Sequence, residues 1–187
     1  MTYTAVAHPA VFKSGTRLVM RVWRNKETVE GRRAGRTLIS HDAESWDRLT
    51  AELLNECVPG ERVYASADAR DIEKAIRVFK ERQLAADYDA PEVRHAFYNQ
   101  CFTRWLSCLG APQASAETHF LFDCDDAHAY SQLRQEMETR GLLENIVHTY
   151  ATKNGTHVLT KPFNPMLLSD APRSTMQKNP LLLVGWT

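Results

Sequence analysis

No surplus of either charge marks this chain: of its 187 residues, Lys plus Arg and Asp plus Glu each number 23. That balance excludes a protein held to nucleic acid by bulk charge alone. There is no apolar run near the roughly 20 residues that span a bilayer. The opening "MTYTAVAHPAVFKSG" also lacks the basic start and long apolar stretch of a signal peptide. The chain therefore reads as cytoplasmic, with no membrane partner. Its four cysteines, at 57, 101, 108 and 124, form no C-x-x-C pair and no tight Cys/His cluster. Neither a disulfide framework nor a zinc knuckle is indicated, and buried thiols are expected.

What is present is a soluble composition, with 43% hydrophobic and 25% charged residues. The length fits a single domain over 1–187, with residues 1–14 as an N-terminal tail. "RVWRNKETVEGRRAGR" concentrates Arg21, Arg24, Lys26, Arg32, Arg33 and Arg36 and reads as a solvated hairpin loop. It joins an alternating strand at 16–24 to a return strand at 35–40. A helix follows from a Ser40 or Asp42 cap, with Trp46, Leu49, Leu53 and Leu54 inward, and then a short strand at 63–66. Two more amphipathic helices are expected. One carries Ile72, Ala75, Ile76, Phe79 and Leu84 on its inner face, and the other Val93, Phe97, Cys101, Trp105 and Leu109.

From residue 118 the pattern sharpens. "THFLFDCD" is a strand, "DAHAYSQLRQEMETRG" a helix, and "ENIVHTYAT" a strand turning at Asn154-Gly155 into "THVLTKPF". This β-α-β-β core at 118–163, packed by amphipathic helices, gives the expected class: α+β with an RRM-like, palm-type sheet. The last apolar strand, Leu181 to Val184, is expected to add to the same sheet.

Alternation along the strand puts Leu121, Asp123 and Asp125 on one face. Paired carboxylates repel unless a cation lies between them, and Mg²⁺ or Mn²⁺ suits such oxygens when phosphates complete the shell. Asp126 is better suited to capping the helix. A two-residue turn at Asn154-Gly155 would set Thr152 opposite His157 and place His157, Leu159 and Lys161 on one side. If that side is the Asp123/Asp125 side, an imidazole and an ammonium join the acids, a set suited to a triphosphate. Lys153, Arg70 and Arg104 are further candidate phosphate partners. Tyr64, Tyr150 and Phe163 are aromatics that could stack on bases.

Asp123-Cys124-Asp125 at the end of an apolar strand, followed after a crossover helix by Gly155-Thr156-His157, resembles the archaeo-eukaryotic primase (primase-polymerase) superfamily. The resemblance covers residues 118–163. It implies that Asp123 and Asp125 hold the catalytic divalent metals and that His157 contacts the phosphates of an incoming nucleotide. Substrates would be a nucleoside triphosphate, nucleic acid or both, in a nucleotidyltransferase. The family usually has Ser where Gly155 stands, places a third carboxylate on a later strand, and often carries a zinc module. Here "NPLLLVGWT" has no acid and no Cys/His cluster exists. The chain therefore resembles a reduced or inactive relative, with the compactness of small phage-encoded proteins. The competing expectation is a non-catalytic module that binds nucleic acid or a protein partner through the same sheet.

Overall fold

The structure, a computed structural model, describes residues 3–23 and 35–187. It contains, in chain order, β1 (Thr4–Ala5), β2 (Arg17–Trp23), β3 (Arg36–Ser40), α1 (Ala43–Glu56), β4 (Glu61–Ser66), α2 (Ile72–Asp87), α3 (Pro91–Asn99) and α4 (Cys101–Leu109). Then follow β5 (Phe120–Cys124), α5 (Ala127–Thr139), β6 (Ile146–Ala151), β7 (Thr156–Thr160), α6 (Asp170–Ser174), β8 (Met176–Lys178) and β9 (Leu181–Trp186). The chain is α+β with two sheets, ordered β1-β9-β4-β2-β3 and β6-β7-β5-β8, and every pairing is antiparallel. Among the described residues no helix is long and apolar enough to cross a membrane.

Local chemistry explains most boundaries. Asp42 caps α1 in a reciprocal capping box with Ser45, and Asp71 caps α2 through the Lys74 amide. Asp126 accepts from the Ala129 amide at 2.7 Å and starts α5, as expected. On one face of the larger sheet, Trp46, Leu53 and Leu54 of α1 bury against Val19, Val63 and Val184. On its other face Leu18 meets Ala75 of α2 and Leu109 of α4. The smaller sheet buries Phe120, Phe122, Cys124 and Val158 against Leu133 and Met137 of α5. Its opposite face carries Leu121, Leu159 and Tyr150 onto Leu182, Leu183 and Tyr64 of the larger sheet. The two sheets therefore share an apolar seam.

Several expectations are corrected. Residues 3–14 are not a loose tail: β1 pairs with β9, and Phe12 is 2% exposed in the seam. β9 joins the larger sheet, between β1 and β4, and the short β8 is the strand that completes the smaller one. The long aromatic helix is two helices, broken at Gln100, whose φ and ψ are −111° and 22°. Residues spaced every fourth position drift by about 40° per step around a helix of 3.6 residues per turn, so one straight helix could not bury Val93 and Leu109 on the same wall. Val93, Cys101 and Phe102 are in fact exposed, as are Ile72, Ile76 and Leu84 of α2. Cysteines 57, 108 and 124 are buried thiols, as expected. Of the basic segment, Arg21 pairs with Glu56 at 2.6 Å and Arg36 with Glu52 at 2.7 Å. Arg24, Lys26, Arg32 and Arg33 lie outside the described residues.

The hairpin register also differs. Tyr150, not Thr152, stands opposite His157, and Ala151 opposite Thr156. A type I′ turn needs positive φ at both central residues, and neither Asn154 nor Gly155 has it. The connection is instead a longer loop, closed by the Thr152 amide donating to the Gly155 carbonyl at 2.8 Å. The register is thus shifted by two residues, which changes the partner of each side chain and leaves its face unchanged.

Candidate functional site

A cleft of about 330 Å³ opens where the two sheets part. β5 contributes Asp123, Asp125 follows at its end, β7 supplies His157, and β4 supplies Arg62 and Tyr64. Asn154 lies on the hairpin loop, while Gln177 and Asn179 come from the β8–β9 corner. Asp123 and His157 are direct partners in the β5–β7 register, and Nε2 of the imidazole lies 3.0 Å from Oδ1 of the carboxylate. The Asp123 side chain is 38% exposed and that of His157 only 11%, so the pair presents its carboxylate toward the opening.

Gly155 is fixed by close approach rather than by unusual φ. A Cβ there would fall 2.0 Å from the Cys124 carbonyl oxygen and 2.9 Å from Cα of Asp125. The hairpin loop therefore rests on the backbone that carries the two acids, and Ser has no room in this arrangement. Beneath the acids, burial, reinforced by Asp123 and Asp125, pushes the Cys124 thiol up to about 11 and keeps it a neutral core residue.

Behind His157 the polar groups continue into the seam. The Tyr150 hydroxyl lies 2.8 Å from His157 Nδ1 and accepts from the Leu183 amide at 3.1 Å. His8 Nε2 lies 2.8 Å from the Leu183 carbonyl, and His8 Nδ1 lies 3.3 Å from His148 Nε2. β1 is only two residues long, and the backbone bonding of this segment to β9 ends with the Val6 amide donating to the Val184 carbonyl at 2.8 Å, so the β9 edge at Leu183 has no strand beside it. A β-bulge where β9 passes Val63 and Tyr64 of β4 re-aims the chain here. Tyr150 and His8 fill the two open backbone positions. Burial raises the Tyr150 phenol above its ordinary range, so it serves as a neutral hydroxyl. Burial also lowers His8 to about 4.

The sequence-derived candidates divide cleanly. Asp123, Asp125 and His157 line one cleft; Lys153, Lys161, Arg70 and Arg104 do not line it. Lys153 is exposed on the hairpin loop, between two residues that line the cleft. Lys161 is exposed beyond the far end of β7, roughly 13 Å along the strand from His157. Arg104 is exposed on α4. Arg70 is buried at 5% exposure and donates to Ser115 Oγ at 3.0 Å. Of the three candidate stacking aromatics, only Tyr64 lines the cleft. Tyr150 is buried in the seam, and Phe163 packs on Phe120 and Phe122 in the α5 core. Arg62, buried at 5% exposure on β4, is the cleft cation that sequence reading missed. Nothing in "ERVYAS" separates it from any edge-of-sheet arginine; only the meeting of two sheets does.

The donor set can be tested against the divalent ion that the family resemblance implies. Among the described residues no three or more His, Cys, Asp or Glu converge as a metal cluster. The cleft offers two carboxylates and the amide side chains of Asn154, Gln177 and Asn179. That set fits a Mg²⁺ or Mn²⁺ ion brought with substrate phosphates, and does not fit an ion caged by protein alone. Comparison with protein-family models, curated proteins and solved structures gives no match.

Proposed function

We propose that the chain is a primase-polymerase-like protein that binds nucleoside triphosphate phosphates with Mg²⁺ or Mn²⁺ in the cleft between its sheets. The observation that carries this reading is the direct facing of Asp123 and His157 beside Asp125 and Arg62 in one opening. The β-α-β-β-α-β succession from β5 to β8, with β7 between β5 and β6, supports a palm-type, RRM-like sheet under the site. Asp123 and Asp125 would hold the ion, whose role when bound is to neutralise phosphate charge and fix the geometry of attack. The Arg62 guanidinium supplies planar donors suited to phosphate oxygens. His157 contributes a ring N–H at the acids, and Tyr64 an aromatic wall against which a base can stack.

A second reading has its own support. Where the family carries its third acid on a later strand, the β8–β9 corner brings the amides Gln177 and Asn179 to this cleft. A protein that holds nucleotide or nucleic acid without turnover fits that substitution. Thermal melting with Mn²⁺ and a nucleoside triphosphate tests the binding claim. A ligand at 100 times its dissociation constant raises stability by about 2.7 kcal/mol. That shift is expected in the native chain and lost in Asp123→Asn/Asp125→Asn; no shift in either protein sinks both readings. Product formation on a primed template then separates turnover from binding alone.

A further inference from the structure

We infer that Tyr150 is the positioning residue of the cleft: it holds His157 in the tautomer whose proton is on Nε2, aimed at Asp123, and anchors that choice to β9 of the other sheet. The argument is one of counting donors. A tyrosine hydroxyl has a single O–H and acceptor lone pairs. The Leu183 amide, at 3.1 Å, can only donate, so it occupies a lone pair of Tyr150. The O–H is left for His157 Nδ1 at 2.8 Å, which must then accept. On the other side of the ring the Asp123 carboxylate at 3.0 Å is an acceptor, so Nε2 must carry the hydrogen. The series Leu183 N–H, Tyr150 O–H and His157 Nδ1 runs in one direction, and it leaves Nε2–H 3.0 Å from the Asp123 carboxylate.

The opposite tautomer would set Nδ1–H against the hydroxyl and leave its O–H with no acceptor in this series. It would also turn a bare nitrogen on the carboxylate, and at 7% exposure the phenol has little water to compensate. The ring is held sideways as well. Tyr150 stacks on His148 with centroids 5.2 Å apart and meets His8 and His157 edge-on at 4.9 and 5.1 Å. The orientation of the imidazole is thus set by a strand that does not belong to its own sheet. The consequence for ligand binding rests on the function proposed above: an Nε2–H donor at the acids can be given to a phosphate oxygen, and the other tautomer has none to give there.

Long-range ¹H–¹⁵N NMR on ligand-free protein, in mildly alkaline buffer, reads the tautomer directly, with His157→Gln identifying the resonance. The expected result is a pyrrole-type Nε2 and a pyridine-type Nδ1 in the native chain, and a mixture of tautomers in Tyr150→Phe, which keeps the ring and removes only the hydroxyl. A proton on Nδ1 in the native chain overturns the inference, as does a tautomer unchanged in Tyr150→Phe. If the Phe variant does not fold, the native measurement alone decides. The Mn²⁺–nucleotide melting shift, repeated in Tyr150→Phe, is expected to report roughly tenfold weaker binding. A tautomer that responds in a protein that shows no nucleotide shift upholds the positioning role while removing the proposed function. An unresponsive tautomer with an intact shift does the reverse.

Discussion

Among the described residues two Asp–His pairs have nearly the same length and very different surroundings. In one, Asp68 Oδ1 lies 2.7 Å from His119 Nδ1, with the carboxylate 1% and the imidazole 12% exposed. Its neighbours are buried charges: the Asp68 carboxylate acts on both Arg17 and Arg70, and Arg17 also bonds Glu117 at 3.0 Å and the carbonyls of Ser14 and Ser66. In the other pair, Asp123 faces His157 on the wall of an open cleft. The first is a mostly buried ion network, with only Glu117 reaching the surface. The second has a carboxylate 38% exposed on a cleft wall. Composition and spacing make the two pairs alike, and access makes only one of them a candidate for chemistry.

The comparison is broken most severely at the closed pair. Asp68→Asn leaves two buried guanidinium groups under-compensated and is expected to cost about 3–5 kcal/mol in urea unfolding. A loss below about 1 kcal/mol would show that the network is not what holds this corner. Next in size is an acid effect at the seam. His8 titrates near 4 in the folded chain, against an ordinary value of 6.5. As pH falls below 6.5 the unfolded chain takes up a proton that the folded one refuses, so stability declines until pH reaches about 4. The full difference is about 3 kcal/mol. His8→Gln, which keeps a donor for Leu183, should flatten this decline in melts across that range; an unchanged slope would assign the acid effect elsewhere.

A smaller effect is expected at the loop that supports the open pair. Gly155→Ser forces a side chain into the Cys124 carbonyl and should cost about 1–3 kcal/mol by chemical denaturation. The nucleotide-dependent melting shift should disappear with it. Smallest is Asp123→Asn, at a side chain 38% exposed, where a stability change within about 1 kcal/mol is expected together with loss of the Mn²⁺ response. If it destabilises as much as Asp68→Asn, the distinction between the two pairs fails.

Much of this contrast was hidden in the sequence, for physical reasons that differ from element to element. Asp126 announced its helix, and the start of α1 was narrowed to Ser40 or Asp42, because capping is a local bond between a side chain and an amide three residues on. Two-residue periodicity put Asp123 with Asp125 on one strand and His157 with Leu159 on another, and left open whether the two sides were the same. Their direct opposition is set by the β5–β7 register, a pairing between strands that no turn joins, and the β6–β7 register that "KNG" suggested was itself wrong, since close approach of Gly155 to Cys124, and not a positive φ, is what demands glycine there. Arg62, Tyr64 and the β8–β9 corner reach the cleft only because two sheets meet. That meeting joins residues more than a hundred positions apart, which no window along the chain can register.

The corner itself carries a mechanical consequence. β8 ends at Lys178 and β9 begins at Leu181, with Asn179 at φ 53° and a buried Pro180 between them. At most about 11 Å of backbone therefore tethers one wall of the cleft to the other. The Asn179 side chain ties that tether to the Gly110 carbonyl at 3.3 Å. The jaws share a short strap on this flank, which limits how far they can part there, while the 152–155 loop sits over the acids.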